Sequence, residues 1–234
     1  MILITRHKND SKSLVGELAK KKLKSYIYPI SNFTFSKKKI KDSNYIYVIA
    51  SPRAVLFLKK NNLTDLKKRT FIVIGKKTLE QLINYGYKNI LFSANTSDDL
   101  IKKINQKKIQ NKKLRYLCSN IYNRNFIYIL RSRGYRIRVT RIYKTVPIQK
   151  FSTSLQSKIK NQKLEAAIFY SRFSLENFLK LCRTHKISQK KLKRIKFYCL
   201  SKRIAEPAIK LSLDVLHPRT PSELQLIKMI KTRS

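Results

Sequence analysis

The chain has 234 residues, 42% of them hydrophobic, and carries 54 Lys and Arg against 12 acidic residues, a formal charge of +42. A globular chain of this length buries about 70% of its unfolded surface, and no apolar run approaches the roughly 18 residues of a membrane span. The opening Met1-Ile2-Leu3-Ile4-Thr5-Arg6 lacks the pattern of a secretory signal, and Cys118, Cys182 and Cys199 are too few and too far apart for a disulfide or zinc framework, so a soluble, cytoplasmic protein with reduced thiols is expected.

Met1 to Thr5 reads as a buried strand, Ser11 to Lys22 as a helix with Leu14, Val15 and Leu18 on one face, and Ser25 to Ile30 as the next strand. The following stretch is a strand from Tyr45 to Ala50, then Ser51-Pro52-Arg53-Ala54-Val55-Leu56-Phe57-Leu58 as an amphipathic helix start. A second strand, Phe71-Ile72-Val73-Ile74-Gly75, leads into a helix from Lys76 to Tyr85. Asn95-Thr96-Ser97-Asp98-Asp99-Leu100 opens another helix. Leu114 to Cys118, Asn123 to Ser132 with Gly134 at its end, and Arg136 to Tyr143 form a strand, helix and strand.

The pattern of the first half then returns. Ala166 to Tyr170 is a strand, Ser171-Arg172-Phe173-Ser174-Leu175-Glu176-Asn177-Phe178-Leu179 a helix start, Phe197 to Ser201 a strand with its turn, and Lys202 to Leu211 a helix. Each copy ends on a hydroxyl and acidic helix start, the second being Arg219-Thr220-Pro221-Ser222-Glu223-Leu224. The spacings agree closely, 97 − 75 = 22 against 222 − 201 = 21.

Each copy needs one further strand, helix and strand, yet one such unit lies first in the chain and the other lies last in its half. The economical arrangement makes residues 39–142 an inner α/β domain and joins residues 1–33 to 151–234 as a discontinuous outer α/β domain. Residues 34–38 and 143–150 connect them. The expected fold is α/β: two similar Rossmann/flavodoxin-like lobes with mainly parallel sheets, a cleft between them, and ligands at the carboxyl ends of the strands.

Four glycines, Gly16, Gly75, Gly86 and Gly134, cannot build a dinucleotide or P-loop phosphate cradle. Asp98 and Asp99, the only adjacent acidic pair, open a helix, where carboxylates complement the dipole. No close His, Cys, Asp or Glu cluster offers a metal site or a carboxylate pair. His7, His185 and His217 are isolated, and Cys118 ends a strand with no activating base in view.

What remains is a set of helix N-termini at strand ends: Ser51, Thr78 one turn past Gly75, Ser97, Ser171, Ser201 and Ser222. Each reads singly as a cap, but repetition across two lobes suits a ligand with several carboxylates. Arg6, Arg53, Arg124 and Arg172 could add charge-assisted contacts, and Tyr143, just before the second crossover, could lie at the cleft floor. The positive charge draws polyanions. However, Lys, Asn, Ile, Tyr and Phe are enriched together, as an AT-rich coding sequence would make them. The runs Lys20-Lys21-Lys22, Lys37-Lys38-Lys39 and Lys190-Lys191 sit in helix tails or connections.

The chain resembles the uroporphyrinogen-III synthase family over nearly its full length. The resemblance is carried in order by Ile2-Leu3-Ile4-Thr5-Arg6, Ala50-Ser51-Pro52-Arg53-Ala54-Val55, Val73-Ile74-Gly75-Lys76-Lys77-Thr78, Ile142-Tyr143-Lys144-Thr145-Val146, Tyr170-Ser171 and Pro218-Arg219-Thr220-Pro221-Ser222-Glu223-Leu224. It implies two α/β lobes joined by a two-stranded connection and a cofactor-independent enzyme. Such an enzyme closes hydroxymethylbilane, a linear tetrapyrrole with an acetate and a propionate on each ring, with inversion of ring D through a spiro intermediate and release of water.

By this resemblance Tyr143 matches the family's tyrosine at the domain connection and would protonate the leaving oxygen. Ser51, Thr78, Ser171 and Ser201 match positions that bind carboxylates, chiefly through nearby backbone amides; Arg6, Arg53 and Arg124 complete the expected substrate-binding set. The chain departs from the family at Ala50 and Ile204, where threonine is common, and at Ser201, where glycine is usual. The expected partner is the polycarboxylate tetrapyrrole, handed over from hydroxymethylbilane synthase to a monomer, with no metal, membrane or nucleic acid. The rival readings are a basic nucleic-acid-binding protein, resting on charge alone, and a non-catalytic two-lobed sensor of an anionic metabolite.

Overall fold

The computed structural model describes residues 1–37, 40, 44–106, 109 and 111–230. Lys38 and Lys39 of the second lysine run, which include one end of the expected connection and the start of the expected inner domain, lie outside them. The elements in chain order are β1 (Ile2–Ile4), α1 (Lys8–Lys20), β2 (Ser25–Ile27), β3 (Ser31–Phe35), β4 (Ile46–Ile49) and α2 (Pro52–Lys60). A 3-10 turn at Thr64–Lys68 precedes β5 (Phe71–Ile74), α3 (Lys76–Asn84), β6 (Ile90–Ala94), α4 (Ser97–Gln106), β7 (Lys113–Ser119), α5 (Arg124–Ser132) and β8 (Arg136–Pro147). The rest comprises α6 (Thr153–Lys160), β9 (Ala166–Phe169), α7 (Arg172–Thr184), α8 (Gln189–Leu192), β10 (Lys196–Cys199), α9 (Lys202–Ile209), β11 (Val215–Leu216) and α10 (Glu223–Met229).

The chain divides into two compact units, one of Met1–Asn32 with Val146–Ser234 and one of Phe33–Thr145. In the first, five strands run parallel in the order β11-β10-β9-β1-β2. In the second the order is β3-β8-β7-β4-β5-β6, and the pairs β7–β8, β7–β4, β4–β5 and β5–β6 are parallel. Place for place, β9, β10 and β11 occupy the positions of β4, β5 and β6, and β1 and β2 those of β7 and β8. The sheets are thus the same sheet, entered by the chain at different strands. β3 joins the second sheet with opposite sense. Ile148 N–H donates to Ile30 O and Ser36 N–H to Ile142 O, so the partner number falls as the first rises, the register of an antiparallel ladder.

Helices on both faces explain why the strands read as unbroken apolar runs. Side chains alternate between faces along each strand. In the first unit, Leu3, Ala167, Phe169, Phe197 and Cys199 pack with Leu155 and Ile159 of α6, Phe178 and Cys182 of α7, and Ala205 and Ala208 of α9. Ile2, Ile4, Ala166, Ile168 and Tyr198 face α1 and α10. The second unit repeats this, with Tyr47, Ile49, Phe71 and Val73 against α2 and α3 and Ile46, Val48, Ile72 and Tyr116 against α4 and α5. Each fully buried Leu, Ile, Val or Phe side chain among them contributes about 1.5–3 kcal/mol.

Helix starts follow the local sequence. Ser51, Asn123, Ser152, Ser171 and Ser222 each accept a first-turn N–H at the start of α2, α5, α6, α7 and α10. The start of α4 differs from expectation, because Thr96 rather than Ser97 supplies the cap. Thr96 Oγ1 accepts from Asp99 N–H at 3.1 Å while Asp99 Oδ2 accepts from Asn95 N–H at 2.9 Å. These two bonds, to neighbouring residues before the helix, give Asp99 a structural role. No helix among the described residues is long and apolar enough to cross a membrane.

Candidate functional site

In a doubly wound sheet the chain leaves the central pair of strands in opposite directions, which opens a crevice outside their carboxyl ends. Counted from its own first strand, the second unit has the order 3-2-1-4-5 with β3 added at the edge, so its crevice lies beyond β4 and β7. In the first unit the equivalent pair is β9 and β1.

In the second unit Ser51 follows β4 and caps α2. Its Oγ accepts from Arg53 N–H at 3.2 Å and from the Tyr143 hydroxyl at 3.0 Å. Tyr143 reaches this position through a β-bulge. The register passes from Cys118 opposite Arg141 to Ser119 opposite Tyr143, so the adjacent Ile142 and Tyr143 both turn into the same core cluster. Regular alternation would have sent Tyr143 to the other face. The phenol is 8% exposed, and burial raises its pKa above the ordinary 10.0 against the lowering effects of the Ser51 hydrogen bond and the Arg53 charge. The guanidinium of Arg53 lies over the Phe33 ring at 4.7 Å.

Gly75, after β5, has φ +93°, and an added Cβ there would sit 3.5 Å from Thr78 Oγ1. Thr78 is buried at 3% exposure and its N–H already donates to Gly75 O, so any ligand contact in this turn falls to the N–H groups of Lys76 and Lys77. Arg124 is the exposed first residue of α5, after β7. At the end of the same strand, Ser119 and Asn120 form with Thr145 of β8 a polar knot not foreseen from the sequence. Ser119 Oγ lies 3.1 Å from Thr145 Oγ1, and Asn120 Oδ1 accepts from Thr145 N–H at 2.7 Å.

In the first unit Ser171, after β9, accepts from Ser174 N–H at 3.1 Å and donates to Ser174 Oγ at 2.8 Å. Ser201, after β10, starts α9 without a side-chain cap, at φ −156°. This extended backbone explains why serine stands where the corresponding Gly75 needs a left-handed conformation. Arg172 is engaged by Glu176 at 2.7 Å and Glu206 at 2.6 Å, which directs it to its own helices. Arg6, after β1, donates from Nη1 to Glu223 Oε1 at 2.8 Å and lies 3.7 Å above the centre of the Tyr170 ring. The Tyr170 hydroxyl donates to the same Glu223 oxygen at 2.9 Å. Periodicity could not pair Tyr170 with Glu223, which lie 53 positions apart.

The remaining candidates have local roles. His185 Nε2 accepts from Phe151 N–H at 3.1 Å and its ring stacks on Phe151, and the His217 ring nitrogen Nδ1 lies 3.2 Å from Pro218 O. Cys118 is buried and its thiol is pushed up to about 12, which makes it a poor nucleophile at neutral pH. No group of three or more metal-ligating side chains occurs among the described residues.

Both doubly wound units thus carry hydroxyl-bearing helix starts and arginines near their strand ends, and the second also carries the buried phenol of Tyr143. The family model described as uroporphyrinogen-III synthase HemD matches residues 12–228. The fold is similar to uroporphyrinogen-III synthetase from Helicobacter pylori 26695, with TM-score 0.66, 14% identity and coverage of 97% of this chain and 96% of that one. It is also similar to a mutant uroporphyrinogen III synthase from the extremely thermophilic bacterium Thermus thermophilus, with TM-score 0.61, 12% identity and coverage of 97% and 94%. No curated protein matches the sequence. The chain belongs to the uroporphyrinogen-III synthase family. Its activity is the family's cofactor-independent cyclisation of hydroxymethylbilane in porphyrin and heme biosynthesis, a lyase reaction.

Proposed function

We propose that Tyr143 is the proton donor of this cyclisation and that the strand ends carrying Ser51, Arg53, Thr78, Arg124, Arg6, Ser171 and Ser201 hold the carboxylates of the substrate. The observation that carries the reading is the Tyr143 hydroxyl bonded to Ser51 Oγ at the carboxyl end of a central strand. A phenol whose pKa is raised by burial keeps its proton at neutral pH and can deliver it to the hydroxymethyl oxygen as the C–O bond breaks. Water leaves, and the substrate becomes an electrophilic azafulvene. A pyrrole carbon of ring D attacks to form the spiro intermediate, which rearranges with ring D inverted, and the proton finally lost from the ring carbon returns the phenolate to its acid form.

Ser51 suits its role because its oxygen already accepts two hydrogen bonds and its own proton remains to be donated. The first-turn N–H groups at each helix start, together with the helix dipole, favour carboxylate oxygens. Placement of a long flexible substrate carries much of the rate, since holding reacting atoms in geometry replaces a large entropic cost. The protein works as a cytoplasmic monomer that receives its substrate from hydroxymethylbilane synthase, in keeping with the dispersed charge and buried thiols.

The test is incubation with hydroxymethylbilane followed by separation of the isomers. Enzymatic closure gives the type III product with ring D inverted. Type I alone, the product of spontaneous closure, would contradict the assignment.

A further inference from the structure

Arg6, Tyr170 and Glu223 form a closed triangle that the cyclisation chemistry does not account for. Arg6 leaves β1 and Tyr170 leaves β9, the two strands flanking the crevice of the first unit, and Glu223 opens α10 on the same face as α1. The guanidinium lies 3.7 Å above the tyrosine ring, Nη1 donates to Glu223 Oε1 at 2.8 Å, and the Tyr170 hydroxyl donates to that oxygen at 2.9 Å. The contact over the ring and the bond through Nη1 together restrict the guanidinium.

One carboxylate oxygen therefore serves two donors from two strands, and the bond to Glu223 takes one of the several N–H donors of the Arg6 guanidinium. The Arg6 side chain is 18% exposed and that of Glu223 33%, so the triangle opens to solvent. A planar fork held in one orientation loses little freedom when it takes a carboxylate. Acidic groups are scarce in this chain, 12 among 234 residues, which makes the use of one against Arg6 informative. Glu223 repels a substrate carboxylate, a cost that aiming Arg6 can offset.

We propose that Glu223 and Tyr170 are positioning residues that orient the Arg6 guanidinium to grip one carboxylate of the tetrapyrrole substrate. The inference rests on the cyclase reading and on Arg6 as a substrate-binding residue. Glu223 and Tyr170 touch the substrate only through Arg6.

The test is a double-mutant cycle on the full chain, with KM and kcat for hydroxymethylbilane measured for wild type, Arg6→Ala, Glu223→Ala and the double variant. Each single change raises KM about 10-fold, the worth of one charge-assisted contact, with kcat within about threefold of wild type. The double variant shows no further rise, because Glu223 has nothing left to orient. Glu223→Gln keeps an acceptor for both donors and recovers most of the loss, which a purely structural role would not require. If Glu223→Ala does not fold, Tyr170→Phe takes its place, with KM expected to rise at near wild-type kcat and an unchanged KM overturning the positioning role. An unchanged KM in Glu223→Ala, additive KM effects in the double variant, or loss of kcat alone overturns the positioning role. A wild-type protein yielding only the type I isomer overturns both this inference and the cyclase reading, whereas type III product with unchanged KM in Glu223→Ala overturns the inference alone.

Discussion

At Tyr143 burial and a single hydrogen bond act on the same proton. Burial disfavours the phenolate more than the Ser51 bond and the Arg53 charge favour it, so the pKa rises. Tyr143→Phe keeps the ring in the cluster around Tyr47, Val55 and Phe57 and removes only the hydroxyl. We expect kcat to fall about 10²- to 10⁴-fold while the thermal midpoint moves little, Ser51 losing a neutral bond worth about 1 kcal/mol. A rate within twofold of wild type would remove the phenol from proton transfer. The tyrosine was visible in the sequence by resemblance, but its aim was not, because the bulge at Ser119 depends on how β7 and β8 pair and no property of Ile142 or Tyr143 alone signals it.

At the scale of elements, β3 and β8 carry the chain from one unit to the other, and Asn177 of α7 holds their ends in the first unit. Its Nδ2 donates to Ile30 O at 3.0 Å and to Ile148 O at 3.2 Å, from a side chain 8% exposed. Asn177→Ala takes the side-chain donor from both oxygens, leaving Ile30 O with only its bond from Ile148 N–H, and is expected to lower unfolding free energy by about 1–3 kcal/mol, read from urea denaturation. Asn177→Asp should cost at least as much, since it removes the donor and buries a charge. Asn177 sits on the apolar face of a helix whose start was legible from the repeat, but its partners are carbonyls 147 and 29 positions away. Strands β6 and β11 and helix α6 also escaped the sequence reading, because Ile90–Ala94, Val215–Leu216 and Thr153–Lys160 are too short or too polar for periodicity to stand out.

For the whole molecule the charge of +42 and the buried titrating groups act in opposite directions at high pH. Cys118 and Cys199 are each pushed up to about 12 from 9.0 by burial, and burial also raises Tyr116 and Tyr170 above 10.0. The folded state binds these protons more tightly than the unfolded chain. Their contribution is therefore complete below the unfolded values and is lost as pH rises through the folded ones. Lysines losing charge near pH 10 relieve self-repulsion and oppose that loss. At about 1 M salt, where the screening length is roughly 3 Å, the thiol and phenol effect should dominate. The urea midpoint is then expected to hold steady from pH 7 to 8.5 and to fall from about pH 9 upward, less steeply in Cys199→Ala. A midpoint that rises through that window would show that charge repulsion outweighs burial.

The repeated strand, serine and helix pattern by itself determined the α/β class, the presence of two copies and the helix starts at Ser51, Ser171 and Ser222, because periodicity and capping are properties of a few neighbouring residues. Tertiary structure alone decided that β1 and β2 fill in one sheet the places of β7 and β8 in the other, that Tyr143 meets Ser51, and that Arg6, Tyr170 and Glu223 converge. Those contacts join residues separated by 92 positions in the first case and 217 between Arg6 and Glu223. Only strand order and register bring such residues together, and these are set by burying both faces of each sheet at once.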